Sequence, residues 1–593
     1  MCGIAGILHI GKSKNHFDKK TYRQVQEMIK LIKYRGPDAQ KVIFCSGGAI
    51  GFSHLSFIGS LSNQPIPNED GRYILVCNGE IFNYLSLRKD LENLGHVFSS
   101  DSDCECILHL FEQYGLKGFN KLNGQFAAAI WDKNTQKCIF LRDPFGICPL
   151  FYTVKNAQLF FSSEIKAILQ VYPGNVSIDM QSLVQTILFY GPIPPRTIFQ
   201  GINQIKPGEV VEISNTGIKK YFYTDIYDNV IRLKGSKLEK SRILEKYVTD
   251  AIKLRLQGKY NPAVCISGGL DSSWIASIVT ALNPKVIAYS IQFTESQYDE
   301  SSYQKQLVNF LGIIHVPITI SINDIIDNLI QTMWHTELPL TRTAPIPVYM
   351  LSKVIYNKNN RYILSGEGAD ELFAGYPIFQ RSQTSIQDKF DKGICILKNL
   401  GLFHQMEDAI KTDYLRFIPN DNITNLRNLQ KIEINTKLSQ YLLSTQGDRM
   451  YMSHGIEARF PYLDVSVASF AFSLKETDVL FQKQNKYLMR LASSNRIPES
   501  IRLRNKQGYL APAIHHQMMK SDLGKELLSK YFSLQHTQQL GYFSESYMKE
   551  ISHKINTSSL NEIDKTCFLI ILTTHILHSL FIGKSNHLRN HLI

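Results

Sequence analysis

Three groups of polar residues in this sequence combine side chains that chemistry uses together. The longest is Ser267-Gly268-Gly269-Leu270-Asp271-Ser272-Ser273. Glycine lets a backbone come close to a phosphate, and the free N–H groups of a helix start point at it. The serines add hydroxyl donors. Asp271 sits among these donors, where a carboxylate would be repelled by a bare phosphate, so it is expected to hold a cation, Mg²⁺, that bridges to phosphate oxygens. No Gly-Lys-Ser/Thr follows, which excludes a Walker-type loop. The pattern predicts a nucleotide pyrophosphate site.

The second group is Ser365-Gly366-Glu367-Gly368-Ala369-Asp370-Glu371. Three carboxylates beside two glycines are costly unless they meet cations or donors. Following a buried strand, they are expected to face the same metal–nucleotide site. The third group opens the chain, Met1-Cys2-Gly3-Ile4. A small second residue allows removal of the initiator Met. Cys2 would then carry a thiol and a free α-amine that titrates near ~8 and can act as the thiol's own base. Taken alone, Cys2 reads as a small buried cysteine in a first strand. Later segments change that reading: Tyr34-Arg35-Gly36-Pro37-Asp38, Ser53-His54-Leu55-Ser56-Phe57, Asn78-Gly79-Glu80 after the strand Tyr73 to Cys77, and Ser102-Asp103-Cys104-Glu105 opening a helix. Asn78 and Gly79 at a strand end could serve an oxyanion. Asp103 near a helix start could receive an ammonium group.

The elements that must position these groups are legible in the apolar pattern. Ala263 to Ile266 reads as a buried strand, followed by a helix with Ile275, Ile278 and Val279 on one face. Val286 to Ile291 and Tyr362 to Leu364 read as further strands, with helical patterns between them and at Leu238 to Leu256. A parallel sheet with helices on both faces follows, with nucleotide at the strands' carboxyl ends. Asn175 to Tyr223 reads as short strands and turns closing a first domain, and 216–236 as a linker.

At 593 residues, two large domains are the simplest division. The net charge of +13 comes from dispersed lysines and arginines, without a basic run or nucleic-acid motif, so anionic small substrates are expected and no nucleic acid. No window of about 18 residues lacks polar groups, so no membrane span is expected. Phe568 to Phe581 reads as a buried helix. Met1 to Ile10 does not read as a secretory signal. The ten cysteines show no CxxC pair, which favours a reduced cytoplasmic setting and gives no support for zinc; Cys104 and Cys106 read as a half-buried helix start.

The glycine loop at 267–273 resembles the PP-loop of ATP pyrophosphatases. The motifs MCGI, RGPD, NGEIFN, SDCE, LNGQFA and RDPFGICPLFY resemble, in order, those of class II glutamine amidotransferases. With Asp448-Arg449-Met450, Gly455 to Asp464, Lys486 and Arg504 to Tyr509, nearly the whole chain is similar to the glutamine-hydrolysing asparagine synthetase family. The resemblance implies an α/β and α+β protein of two domains. Residues 1–215 would form an N-terminal-nucleophile αββα sandwich, and 237–593 a doubly wound parallel-sheet synthetase domain.

Residue by residue, the resemblance implies Cys2 as nucleophile and Asn78 with Gly79 as oxyanion hole. Glutamine would be held by His54, Leu55, Ser56, Phe57, Ile58, Asn78, Gly79, Glu80 and Asp103. ATP would be held by Ile266, Ser267, Gly268, Gly269, Leu270, Asp271, Ser272, Ile291, Ser365 and Gly366, with Mg²⁺ on Asp271 and Asp370. Glu367 would assist acyl-adenylate formation or breakdown, and Lys486 would stabilise negative charge. The family arginine that grips the glutamine α-carboxylate is replaced by His54, and a usual glycine by Asp101. Neutral histidine lacks the guanidinium's bidentate pair, so weaker glutamine binding is expected.

The implied reaction takes L-aspartate, L-glutamine and ATP to asparagine, glutamate, AMP and pyrophosphate. Two alternatives stand beside it: the same chemistry on another carboxylate, suggested by Arg342 within Pro339 to Ala344, and a non-catalytic nucleotide-binding protein. β-Lactam synthetases share the second fold but generally lack the N-terminal cysteine. A homodimer is common in the family. Residues 380–435 and 520–593 are mostly polar and helical, and carry no reading.

Overall fold

The computed structural model describes residues 2–11, 18–57, 64–224, 226–227, 232–380, 384–404 (384–390 as backbone alone), 406–408, 410, 412, 426–482 and 484–583. Its first half contains two antiparallel sheets. The first joins β1 (Gly3–His9), β2 (Ala39–Cys45), β3 (Gly48–His54), β8 (Phe151–Lys155), β9 (Gln158–Ser162) and β10 (Asn203–Gln204), in the order β10-β8-β9-β1-β3-β2. The second joins β4 (Ile66–Pro67), β5 (Tyr73–Ile81), β6 (Gly124–Asp132), β7 (Lys137–Arg142), β11 (Glu209–Ser214) and β12 (Gly217–Phe222), in the order β12-β11-β7-β6-β5-β4.

Alternation along β5 explains the layering. Ile74 and Val76 join the core between the sheets, whereas Leu75 and Cys77 join a second core beneath α2 (Tyr84–Asn93) and α3 (Glu105–Tyr114). On the other side α1 (Lys19–Leu31) packs on β1 and β3, beside α4 (Ile165–Val171). The result is an αββα sandwich, as the family resemblance implies.

Two stretches differ from the sequence reading. Met180–Phe189 is a helix, α5, capped by Asp179, whose side chain accepts from Ser182 N. It is buried nearly all round, so it carries no one-sided apolar stripe. Residues 217–222, read as linker, form the edge strand β12 paired with β11. Every residue of β12 is exposed, and its lysines give it the polarity of a linker.

The second half is built on a five-stranded parallel sheet: β13 (Ala263–Cys265), β14 (Ile287–Phe293), β15 (Ile314–Ile320), β16 (Tyr362–Leu364) and β17 (Glu457–Arg459), in the order β15-β14-β13-β16-β17. The strand order reverses between β13 and β16. Helix α6 (Lys237–Arg255) precedes β13, and α7 (Leu270–Leu282) follows it. Crossovers on both sides of a reversal leave a crevice at the carboxyl ends of β13 and β16. The loops at 267 and 365 begin there.

Glu562–Phe581 is long and apolar enough to cross a membrane, yet most of it is buried inside the protein. Leu340 N donates to its Thr573 Oγ1 at 3.0 Å. It is a core helix, in keeping with the sequence reading of Phe568 to Phe581.

Candidate active sites

Cys2 lies just before β1, between the two sheets. Its backbone nitrogen donates to Asn78 Oδ1 at 2.7 Å, and Leu55 N donates to its sulfur at 3.4 Å. Burial pushes the thiol pKa up to about 12. A thiol held neutral this firmly needs a base close by to become a nucleophile.

Asn78, Gly79 and Glu80 lie within β5, not beyond it. The sequence reading ends the strand at Cys77, but pairing continues through Asn78↔Ala127, Gly79↔Phe126 and Glu80↔Gln125. Gly79 is the reason. Its φ is +149°, and a Cβ there would stand 2.1 Å from Gln125 O. Asn78 Nδ2 is buried without a hydrogen-bond partner, as is Glu80 Oε2. An unmatched buried donor costs about 1–3 kcal/mol, which is expected where a ligand supplies the partner. Asp103 accepts from Ile81 N at 2.5 Å. Burial raises the Asp103 pKa to about 6, and burial with the Asp103 charge raises Glu80 well above the usual range. Cys104 and Cys106 are fully rather than half buried.

His54, Leu55, Ser56 and Phe57 form one wall. His54 is buried, and burial pushes its pKa down to about 4 against the pull of Asp38. Ser56 N donates to Asp38 Oδ2 at 2.8 Å, and Lys259 Nζ donates to Ser56 Oγ at 3.0 Å. Ile58 lies outside the described residues. Sequence reasoning missed Lys259, which reaches this wall from the second half of the chain, and Glu457 on β17, whose charge acts on both Cys2 and Glu80. Lys259 carries no local motif, and Glu457 lies in the Gly455 to Asp464 segment, where the resemblance gave it no role of its own.

The second site fills the crevice between β13 and β16, a cavity of about 220 Å³. Ile266, Ser267, Asp271, Ser272, Ile291, Ser365, Gly366, Glu367 and Asp370 all line it. Gly269 and Leu270 line the adjoining recess with Lys486. Gly268 takes a φ of +75° in the turn, where Arg504 Nη1 donates to its carbonyl at 3.3 Å. Ser272 Oγ accepts from Ser267 N at 3.1 Å, holding the loop on the first turn of α7. That turn presents free N–H groups to the crevice.

Asp271 and Asp370 converge from the two loops. Lys486 Nζ is 2.6 Å from both Asp271 oxygens and 2.5 Å from Asp370 Oδ1. Lys506 Nζ is 2.7 Å from Asp370 Oδ2. Burial opposes ionisation of Asp370, but the two ammonium groups hold its carboxyl well below the usual range. Gly375 makes the approach possible, since a Cβ there would stand 1.9 Å from Asp370 Oδ1. Lys486 itself has a φ of +53°, a left-handed conformation that is strained for lysine. Two carboxylates meeting at one point form an all-oxygen donor set that suits a hard cation such as Mg²⁺. Glu367 bonds to Ser365 Oγ, and burial raises its pKa. Lys506 was missed as a site residue: Arg504 to Tyr509 carries the resemblance as a segment, without a role for its lysine.

The two sites share one interior. Phe57 packs edge-on against Tyr362 of β16, and the Arg459 guanidinium lies over the rings of Phe57, Phe82 and Tyr362. Gln125 Nε2 donates to Ala458 O at 3.0 Å. A further cavity, of about 720 Å³, adjoins the crevice between β13 and β16 and shares Tyr298, Arg342 and Leu510 with it.

Comparison with known proteins agrees with this division. Residues 1–224 match the family model described as a glutamine amidotransferase domain, and residues 244–569 match the one described as asparagine synthase. The chain is 28% identical over 601 residues to the glutamine-hydrolyzing asparagine synthetase 1 of Bacillus subtilis, with 93% of this chain and 92% of the relative covered. It is 27% identical over 605 residues to the amidase chyE of Penicillium rubens, with 86% and 89% covered.

Proposed function

The chain belongs to the asparagine synthase family, and from that premise we propose that it makes an amide from a carboxylate, using glutamine as nitrogen donor and ATP as activator, with L-aspartate as acceptor and asparagine as product. The division of labour follows the two sites: an amidotransferase half ending near Tyr223 and a synthetase half beginning at α6. The scattered cysteines, without a CxxC pair, fit a cytoplasmic setting.

In the first half, the Cys2 α-amine, freed by removal of the initiator Met, takes the thiol proton as sulfur attacks the glutamine amide carbon. Asn78 Nδ2 and the Gly79 N–H stabilise the oxyanion. Glu80 and Asp103 receive the glutamine α-ammonium group, and the wall from His54 to Phe57 faces its carboxylate. Collapse breaks the C–N bond, with the amine returning its proton to the leaving nitrogen. Water then cleaves the thioester to give glutamate.

In the second half, the acceptor carboxylate attacks the α-phosphorus of ATP, and pyrophosphate leaves. Ser267 and Ser272 hold the phosphates, and Asp271 with Asp370 would hold Mg²⁺, which neutralises pyrophosphate charge when bound. Lys486 stabilises negative charge on the transferring group. Ammonia attacks the acyl carbon of the adenylate, AMP leaves, and Glu367 takes the surplus proton; its raised pKa suits that task. Free ammonia in water at pH 7 is mostly protonated and not nucleophilic, so passage through the protein interior matters.

One observation carries this reading: the thiol pocket abuts β17, whose neighbour β16 runs into the nucleotide crevice at Ser365. Pyrophosphate release with ATP, glutamine and a panel of carboxylates tests it. Aspartate should stimulate release, with AMP as co-product; ADP formation would refute the chemistry. The adjoining cavity favours a second reading of the acceptor alone. Its volume far exceeds what aspartate needs, and Arg342 lines its junction with the crevice. A larger carboxylate with an apolar tail fits it, and stimulation by such a compound but not by aspartate would select it.

A further inference from the structure

A group of metal-ligating side chains lies apart from both sites, on the outer helical layer of the first half. Glu69 comes from the turn between β4 and β5, His96 from the segment between α2 and α3, and His109 and Glu112 from one face of α3. His109 Nδ1 is 2.9 Å from Glu112 Oε2 and 3.5 Å from Glu69 Oε1. His96 Nδ1 is 3.5 Å from the same Glu69 oxygen. All four candidate ligand atoms lie within 4.8 Å of one another. Bonds of ~2.0–2.2 Å in a tetrahedral zinc site set ligand atoms about 3.3 Å apart. We propose that Glu69, His96, His109 and Glu112 bind one zinc ion.

The surroundings fit this use. A zinc-bound histidine normally directs its other nitrogen to a fixed acceptor, which sets the ring's tautomer and orientation. His96 has such an acceptor here, and His109 Nε2, which makes no hydrogen bond, faces a carboxylate at ion-pair distance. His109 Nε2 is 3.5 Å from Glu105 Oε1, and His96 Nε2 is 3.1 Å from Gln113 Oε1. Glu112 keeps its second oxygen on Asn68 Nδ2 at 2.5 Å. Two imidazoles with two carboxylates suit zinc better than magnesium or calcium, which want more oxygens. Negative charge is in surplus, since the carboxylates of Glu69, Glu105 and Glu112 all lie within 3.5 Å of the His109 ring nitrogens. Glu69 is exposed and gives the ion a way in.

The position gives the ion a task. Glu105 also accepts from Ser99 N and Ser100 N, at 2.7 and 2.9 Å. The ion would therefore fasten the start of the loop that carries Asp103 into the Cys2 pocket. Zinc motifs were absent from the sequence reading because the ligands span residues 69 to 112 without a short repeat.

The test is zinc content of the full chain after zinc loading and desalting, with affinity read by competition against a chromophoric chelator. About one zinc per chain is expected. Glu69→Gln and His96→Gln, both at the accessible rim, should bind about tenfold or more weakly while keeping the wild-type circular dichroism. Cobalt in place of zinc should give visible d–d bands of a tetrahedral site without the near-ultraviolet band of thiolate ligation. Zinc well below one per chain in the wild type, equal affinity in both variants, or a thiolate band would overturn the proposal.

Discussion

Arg35 holds both oxygens of Asp448 through its two terminal nitrogens, at 2.8 and 2.9 Å, across 413 positions of sequence. Its Nε donates to the Cys2 carbonyl at 3.1 Å, so one fully buried guanidinium touches the Cys2 backbone and the second half of the chain together. Glu164 shares the same cation, at 3.0 Å. Removing one member of a buried ion pair leaves the others uncompensated, at about 3–5 kcal/mol. Arg35→Met should lower the urea midpoint accordingly. In the fraction that stays folded, glutamine-dependent amide synthesis should fall more than ammonia-dependent synthesis, because the damage lies at Cys2. Equal losses would place the effect in the synthetase half.

Cys2→Ala removes the thiol and leaves the nucleotide crevice intact. Ammonia-dependent amide synthesis should stay within about twofold of the wild type, while glutamine-dependent synthesis should drop to background. Loss of both, measured as product formed per AMP released, would break the two-site account.

His54 is neutral at pH 7, since burial holds its pKa near 4. A depressed histidine pKa means the unfolded chain binds the proton more readily, so this group's stabilising effect is present at neutral pH and fades as pH falls from about 6.5 toward 4. Between pH 8 and 5 its charge on the glutamine wall does not change. His54→Arg would add a permanent, bidentate cation beside Ser56 and should lower KM for glutamine with little change in kcat. Lys259, already within reach of Ser56, sets the limit of that gain. An unchanged KM would show that the arginine position is not what binds the carboxylate here.

Lys486 bridges Asp271 and Asp370, and Lys506 is the second cation there. Lys486→Met keeps most of the side-chain bulk and deletes the charge. Loss of one preorganised charge at a transferring group typically costs about 10²–10³ in kcat. The loss should be the same with glutamine and with ammonia, because both routes end at this crevice. A loss confined to the glutamine route would remove Lys486 from the synthetase chemistry.

Much of this site was readable because its chemistry is local. The run from Ser267 to Ser273 and the run from Ser365 to Glu371 each follow a short apolar strand, and both strands lie where the strand order reverses. Cys2 was less readable, since a lone cysteine in an apolar strand is ordinary; the segments at 35, 54, 78 and 103 gave it meaning. What stayed hidden is non-local. Arg35 looks like a turn residue until Asp448 is beside it. Lys506 sits in an irregular stretch, and Glu457 in a buried three-residue strand. Helix α5 concealed its period by being buried on all sides, and β12 concealed its pairing by being exposed.

The large cavity beside the crevice offers the last test, of how far the acceptor extends. Ala513 lines it and is itself exposed, so Ala513→Trp narrows the space without crowding the core. Aspartate, held in the crevice alone, should keep its kcat/KM within about twofold. An acceptor whose apolar tail fills the cavity would lose that contact, and a loss of about 1.4 kcal/mol is already tenfold in kcat/KM. A fall beyond tenfold with aspartate itself would mean that even this small acceptor binds on the cavity side of Arg342.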